Sequence, residues 1–136
     1  MHDDRFFELT RRWRPGRYKP NTDVYFDAEL QRLVVQVEVA GADPESLTVS
    51  ADETALYVTG SRVDRSASTC RSLSLLQKEI EYGEFAKRVP LPRPIDVDEA
   101  TATYKDGILT ITLPLSEPQP QGVRTEVRVT VRKISV

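Results

Sequence analysis

Several residue types that carry chemistry are scarce in this chain of 136 residues. It has one cysteine, Cys70, and one histidine, His2. A single cysteine excludes an intramolecular disulfide framework and suits a reducing compartment, and the two residues together do not supply the clustered ligands of a zinc site. The acidic residues show no regular spacing around a central glycine, so a calcium loop is not favoured. We therefore expect no metal and no cofactor.

Long hydrophobic runs are also missing. No apolar stretch approaches the roughly 20 residues that span a bilayer, and the N-terminus has no apolar core after a basic segment. With 19 basic and 21 acidic residues the net charge is −2, which gives no bulk attraction to nucleic acid or to an anionic membrane. These absences predict a cytoplasmic protein with neither a nucleic-acid partner nor a membrane partner.

The patterns of the common enzyme classes are absent as well. The sequence has no central histidine, no nucleophile elbow, and no glycine-rich phosphate loop followed by a helix. Charged neighbours such as Lys78 with Glu79, or Asp96 with Asp98, are typical of a solvated surface. We expect a protein that is not an enzyme.

What the chain does contain is a series of short β-prone runs separated by turn residues. Alternation is clearest where Leu33, Val35 and Val37 recur at every second position, and Pro44 favours a brief helical turn after it. The length suits one domain. Seven or so strands at short spacing predict an all-β fold, an immunoglobulin-like β-sandwich. The predicted strands cover residues 23–27, 33–39, 47–51, 56–60, 85–91, 100–104 and 108–113.

The stretch ATYKDGILTITLP, residues 102–114, is the most informative part of the chain. Asp106 and Gly107 form a turn dipeptide, because glycine adopts a positive φ without a Cβ clash. The β-branched run that follows predicts a strand with alternate residues on one face. Those residues are Leu109, Ile111 and Leu113.

Both flanks of the β region differ from it. Residues 1–19 interleave arginines with the apolar side chains of Phe6, Phe7, Leu9 and Trp13, and a proline-rich stretch from Ser116 leads to a last β-prone segment. Basic and aromatic residues together suggest single-stranded nucleic acid, but the acidic residues in the same arm weaken that interpretation. The interval from Gly60 to Gly83 is too long for a hairpin loop, and loops of this length are usually functional.

Read in order, these pieces resemble the small heat-shock protein (α-crystallin domain) family, of the bacterial and plant type. The family signature of alanine, three residues, aspartate, glycine, an aliphatic residue and leucine is similar to the run from Ala102 to Leu109. The stretches VEVAGADPESLTV, LYVTGSR and YGEFAKRVPLP match further family patterns in the same order. The resemblance implies three parts: an N-terminal arm (1–19), an α-crystallin domain (20–115) and a C-terminal extension (116–136).

The resemblance also implies a function and the surfaces that perform it. Members are ATP-independent holdases that bind unfolding proteins, prevent their aggregation, and assemble from dimers into homo-oligomers. A strand near residues 72–78 is expected to pair with a neighbouring subunit. Where the family has an interface arginine this chain has Lys87, which lacks the bidentate geometry of a guanidinium, and Arg88 faces the other side of the strand.

Four groups of residues carry these expected roles. The client-binding residues are Phe6, Phe7, Leu9 and Trp13. The dimer-interface residues are Leu73, Leu75, Leu76 and Lys87. The oligomer anchor is Ile134 with Val136, while Val127, Val129 and Val131 offer a competing register. One wall of the groove that receives a partner's anchor is expected to be formed by Leu109, Ile111 and Leu113.

A different kind of protein stays open beside this one. A co-chaperone of the related CS-domain fold shares the sandwich and is expected to act as a monomeric interaction module. The DGIL motif, the long interval before Gly83 and the terminal Ile134-Ser135-Val136 favour the heat-shock family.

Overall fold

The computed structural model describes residues 18–52, 54–64, 72–116 and 125–131, and these residues form two β-sheets. The prediction of an all-β sandwich is confirmed, and the seven predicted strands lie within a few residues of their observed bounds. Two further strands, β8 and β9, follow them. The strands are β1 (Thr22–Asp27), β2 (Arg32–Glu38), β3 (Thr48–Ala51), β4 (Ala55–Arg62), β5 (Gly83–Pro90), β6 (Thr101–Lys105), β7 (Ile108–Pro114), β8 (Thr125–Val127) and β9 (Val129–Val131).

The two sheets have the orders β1-β2-β7-β6-β9 and β5-β4-β3-β8. All neighbours are antiparallel except β6 and β9, which run parallel. Hairpins connect β1 with β2, β3 with β4, and β6 with β7. β4 pairs with β5 across the long interval between Arg62 and Gly83. The described strands thus reproduce the short-strand architecture that the sequence predicts.

A single hydrophobic core lies between the sheets. Alternation on β2 places Leu33, Val35 and Val37 inside with at most 1% of each side chain exposed. Phe85 of β5 faces them from the other sheet and is equally buried. Its ring lies against Gly60 of β4, where an added Cβ would come within 2.4 Å of the ring. Gly60 is therefore the residue that lets Phe85 fill the core.

The β6–β7 hairpin turns at the predicted dipeptide. Asp106 and Gly107 have φ values of 55° and 78°, the left-handed pair that a two-residue hairpin needs. The Gly107 carbonyl accepts a hydrogen bond from the Val39 N–H at 2.8 Å. A Cβ at Gly107 would lie 2.9 Å from the Ala40 Cβ, so both backbone angle and space require glycine here.

The predicted helical turn at Pro44 is present as a single 3-10 turn, Pro44–Ser46. Asp43 caps it, because its carboxylate accepts from the Glu45 N–H at 3.0 Å. The turn is fixed to the end of β4 by Ser46, whose Oγ accepts the Ser61 N–H at 2.9 Å. This connection between β2 and β3 is therefore anchored to β4.

Candidate functional site

Residues 125–131 close one side of the sandwich. β8 pairs antiparallel with β3 so that Val127 lies opposite Val49, and β9 pairs parallel with β6 so that Val129 lies opposite Ala102. One short stretch of chain therefore covers an edge of each sheet, where unpaired backbone groups would otherwise face solvent. We call this side the closed edge.

Side-chain alternation explains how this segment fits between the sheets. Val127 is 6% exposed and belongs to the core, Val129 packs against the core in a partly buried position, and Arg128 between them is exposed. Two apolar side chains two residues apart point to the same side of an extended chain. Fully burying one valine contributes about 1.5 kcal/mol or more, so two of them hold a short segment in place.

The strand at the far side of the five-stranded sheet, β1, is arranged differently. In the described part of the chain, β1 pairs with β2 and with no other strand. Its three central side chains are exposed, Val24 by 43%, Tyr25 by 53% and Phe26 by 49%. A strand that is paired on one side only and carries exposed apolar residues is a template for a strand of another chain. We call this side the open edge.

A second exposed apolar segment lies between β4 and β5. Residues 72–82, which we call the loop segment, form no strand. Leu73 is 60% exposed, Leu75 is 73% exposed and Leu76 is 95% exposed, and Ile80 is 59% exposed. These leucines are the predicted dimer-interface residues, and none of them packs into the core of its own chain.

Lys87 and Arg88 occupy opposite faces of β5, as the sequence predicts for adjacent strand residues. Lys87 lies opposite Val58 and is partly buried. Arg88 lies opposite Tyr57, with its guanidinium carbon 6.0 Å from the centre of that ring. The described geometry thus keeps Arg88 from taking the place of Lys87 on the inward-facing side.

The turn that leads out of the open edge is held by Asp27. Its carboxylate accepts the Leu30 N–H at 3.1 Å and the Arg32 Nε–H at 3.0 Å. These donors, the backbone of Leu30 first, lower the pKa of Asp27 below its ordinary value of 3.8. Nearby, the Arg93 guanidinium lies 5.5 Å from the centre of the Phe26 ring.

Arg62, the last residue of β4, joins three separate parts of the chain. Its Nε and Nη2 both donate to the Glu81 carbonyl, the first at 2.9 Å, and its Nη1 donates to the Ala40 carbonyl at 3.0 Å. The guanidinium carbon lies 4.4 Å from the centre of the Tyr18 ring. Burial raises the pKa of Tyr18, and the charge of Arg62 opposes that rise.

Comparison with known proteins identifies the family. A model of the Hsp20/alpha crystallin family matches residues 27–132. The chain belongs to this family. Alpha-crystallin of Mycobacterium bovis is 30% identical over 115 residues, covering 77% of this chain and 76% of the relative. Membership of the Hsp20/alpha crystallin family supports a chaperone role and agrees with the expectation that the protein is not an enzyme.

Solved structures of small heat-shock proteins have the same fold. Heat shock protein 16.0 from Schizosaccharomyces pombe superposes with a TM-score of 0.65 at 27% identity, covering 76% of this chain and 96% of that one. A small heat-shock protein from Xylella fastidiosa superposes with a TM-score of 0.62 at 26% identity, covering 88% and 97%. The suggested family resemblance is therefore confirmed.

The predicted groove wall requires a correction within this Hsp20/alpha crystallin domain. Leu109, Ile111 and Leu113 are fully buried in the core. β7, which carries them, pairs with β2 on one side and with β6 on the other, so its backbone offers no edge to an incoming strand. The edges that accept an extended segment belong to β3 and β6 instead.

Several predicted site residues lie outside the described residues. They include the client-binding set Phe6, Phe7, Leu9 and Trp13, the anchor pair Ile134 and Val136, and Cys70. Of the predicted extension, residues 125–131 are described, and they pair with their own domain. In this segment it is the competing register, Val127 with Val129, that lies at the closed edge.

Two further features of the described residues concern membranes and metals. No helix in the described ranges is long and apolar enough to cross a membrane. No group of three or more histidine, cysteine, aspartate or glutamate side chains in those ranges is arranged to hold a metal ion.

The sequence patterns indicate no role for Arg62, and they do not indicate which strand of a second chain the loop segment would pair with. Arg62 stands in the LYVTGSR pattern, but its partners Ala40 and Glu81 are about 20 positions away on either side, so no local pattern indicates them. The run DVYF in β1 is a usable signal, since apolar and aromatic residues at adjacent positions of a strand leave one of them on the outer face.

Proposed function

We propose that this chain is an ATP-independent holdase, built from dimers, that binds unfolding proteins and prevents their aggregation. The coexistence of an exposed apolar strand edge and an exposed apolar loop segment that forms no strand carries this proposal. The membership of the Hsp20/alpha crystallin family supports the chaperone part. The exposed edges support the assembly part, since an isolated chain with such surfaces tends to associate.

The dimer forms by exchange of the loop segments. Residues 72–78 of one chain become a strand beside β1 of a second chain, next to Val24, Tyr25 and Phe26, and the second chain does the same in return. Such a pairing places the loop segment in a strand and covers the open edge. Lys87 lies on β5, the strand that follows the loop segment in the chain, and takes part in the same interface.

The energies favour such an exchange. Burying one leucine contributes about 1.5–3 kcal/mol, and a symmetric exchange buries the three exposed leucines of the loop segment twice. The upper estimate of about 9–18 kcal/mol is of the same order as a cost of association of about 4–15 kcal/mol. The backbone pairs at β1 add to this balance.

Assembly beyond the dimer uses the closed edge. A segment that docks on its own β3 and β6 through two valines also fits the same edges of another chain, because the donor and acceptor surfaces are identical. The solved relative from Xylella fastidiosa is described as having a distinct high-order structure. Ile134 and Val136, a few residues further along, form a second apolar pair for the same purpose.

Clients are bound by the N-terminal arm. Phe6, Phe7, Leu9 and Trp13 give it an apolar surface that matches the surface exposed by an unfolding protein. The same residues pack between subunits when no client is present.

Aggregation of a heated client protein tests the function. In the absence of nucleotide, a molar excess of the full chain is expected to suppress light scattering by the client. A variant with Phe6, Phe7 and Leu9 changed to serine is expected to suppress it less, while Leu30→Ser, which changes an exposed leucine outside the arm, acts as the matched control. Equal precipitation with and without the full chain would contradict the proposal.

The filled closed edge also favours a second candidate, a monomeric interaction module. A segment that occupies its own groove leaves that groove unavailable to other chains. Native mass separates the two candidates. A mass of 15.4 kDa at every protein concentration supports the monomer, and larger species that grow with concentration support the assembly.

A further inference from the structure

We propose that Arg62 is a positioning residue that fixes the C-terminal end of the loop segment to the end of β4 and ties it to the place where the N-terminal arm leaves the domain. This inference rests on the proposed dimer, because it concerns how the loop segment is positioned before it pairs with a second chain. Three observations carry it, and each involves a different part of the chain.

The first observation concerns the two ends of the interval between β4 and β5. The β4–β5 ladder stops at the pair Arg62 and Gly83. Beyond that pair, the Glu81 carbonyl accepts two hydrogen bonds from the Arg62 guanidinium. The side chain of one end of the interval therefore holds the backbone of the other end. Hydrogen bonds from a charged donor are about twice as strong as neutral ones.

We call the hydrogen bonds of the Arg62 guanidinium the clamp. The second observation is that the clamp also holds the connection between β2 and β3, which is itself hydrogen-bonded to β4. The third guanidinium bond goes to the Ala40 carbonyl, in the connection between β2 and β3. Asp43 in that connection donates its N–H to the Ser61 carbonyl at 3.0 Å, beside Arg62 itself. Gly41 has a φ of 78°, and a Cβ there would lie 3.4 Å from the Arg62 Cδ. Because Gly41 has no side chain, the Arg62 side chain has room to pass beside it.

The third observation links the clamp to the start of the domain. Tyr18 lies under the guanidinium at 4.4 Å and against the Phe85 ring, with 5.3 Å between ring centres. Tyr18 also forms a parallel β-bridge with Phe85. Arg62 therefore contacts the first described residue of the chain, the β2–β3 connection and the base of the loop segment.

These contacts predict an effect on dimer formation. A loop segment whose C-terminal end is already fixed loses less conformational freedom when it pairs with a second chain, and affinity rises accordingly. Lysine keeps the positive charge near Tyr18 but lacks the planar fork of donors that reaches the Glu81 and Ala40 carbonyls in fixed directions. Arg62→Lys is therefore expected to weaken the dimer about tenfold, which corresponds to about 1.4 kcal/mol.

The test compares Arg62→Lys with Arg88→Lys in the full chain. Arg88 sits on the same sheet and lies over Tyr57, but it is not part of the clamp. Native mass as a function of concentration gives the dimer dissociation constant, and amide hydrogen exchange gives the protection of residues 72–83. Arg62→Lys is expected to raise the dissociation constant and to speed exchange at Tyr82 and Gly83. The control is expected to change neither.

Two results overturn the proposal, and they differ from the result that overturns the dimer. The clamp is wrong if Arg62→Lys leaves both quantities unchanged, or if the dimer weakens only as much as the free energy of unfolding falls. A core amide such as that of Val35 reports the latter. If the unaltered chain stays monomeric at every concentration, the proposed dimer is wrong. The clamp is then tested by amide exchange alone, and unchanged exchange in Arg62→Lys contradicts it.

Discussion

The two outer sides of this sandwich differ in how their sheet edges are covered. At the closed edge, residues 125–131 supply the backbone partners for β3 and β6, and Val127 completes the core. At the open edge, β1 keeps an unpaired side, and Tyr25 and Phe26 stand about half exposed. Sheet edges must be covered or blocked if a chain is to stay alone. One side is covered by the chain itself, and we propose that the other receives a second chain.

The difference lies in what each side offers. The closed edge is a gap between two sheets that two valines fill, so a segment of a few residues is enough. The open edge is the flank of a single sheet, which needs a strand with its own backbone groups. The loop segment, with its three exposed leucines, is the part of the described chain that matches this need. The comparison can be tested at the core that both sides share and then at each side.

The largest effect is expected from Ile111→Ala in β7. This side chain is fully buried, and loss of a buried isoleucine to alanine lowers the free energy of unfolding by about 2–5 kcal/mol. Thr112→Ala, on the opposite face of the same strand, is the matched control and should cost less than about 1 kcal/mol. Urea unfolding at one protein concentration measures both. An Ile111→Ala variant that keeps its stability but loses native mass would restore the predicted groove wall on β7.

A smaller effect is expected from Val127→Asp at the closed edge. The carboxylate cannot enter the core uncompensated, so the segment should leave its place, and the loss is about 3 kcal/mol, the contribution of the two valines that hold it. The amides of Val49 and Ala51, on the strand that pairs with β8, are then expected to exchange faster. Arg128→Asp, at the exposed position between the two valines, should leave their exchange as it is. Unchanged exchange in both variants would mean that the segment does not dock there.

At the open edge, Val24→Lys is expected to weaken the dimer about tenfold, or by about 1.4 kcal/mol, because a charged side chain on a strand edge opposes pairing. The unfolding of the isolated chain should hardly change, since Val24 is 43% exposed. Leu30→Lys places the same charge in the adjacent turn, outside the strand. Concentration-dependent native mass distinguishes them, and equal dimer strength in the two variants would count against the open edge as the acceptor.

The smallest effect concerns pH at the turn that follows β1. The folded-state pKa of Asp27 lies below its ordinary value of 3.8, so its contribution to stability is complete above that value and is lost as the pH falls through the lower, folded-state value. Asp27→Asn should therefore be less stable than the unaltered chain near neutral pH and equal to it in more acidic solution. Thermal unfolding at several pH values checks this, and a difference that persists unchanged at low pH would argue against the assignment.

The sequence predicts the strands well because their signals are local. Alternation at Leu33, Val35 and Val37 and the turn at Asp106 and Gly107 depend on neighbouring residues, and both are confirmed. The placement of the closing segment is not local. Val127, Val129 and Val131 share the period of two with Ile134 and Val136, so spacing cannot select the register that docks. Contact with β3 and β6 selects it.

The error about β7 has a related cause. Alternation tells that Leu109, Ile111 and Leu113 share a face, but it does not tell whether that face meets the other sheet or an incoming segment. The strand order decides, because β7 lies between β2 and β6. Arg62 is a further case, since the residues that it joins are separated by long stretches of sequence and meet only in the folded chain.

Disulfide trapping between chains tests most directly whether the open edge receives the loop segment. Two variants are made in a Cys70→Ser background, one with Tyr25→Cys and one with Leu75→Cys, and they are mixed under mild oxidation. Close approach of the two positions predicts a disulfide-linked species of two chains that contains one of each variant and forms far less when either variant is oxidised alone. Absence of that mixed species, together with efficient linkage inside a single chain carrying both cysteines, would contradict the account.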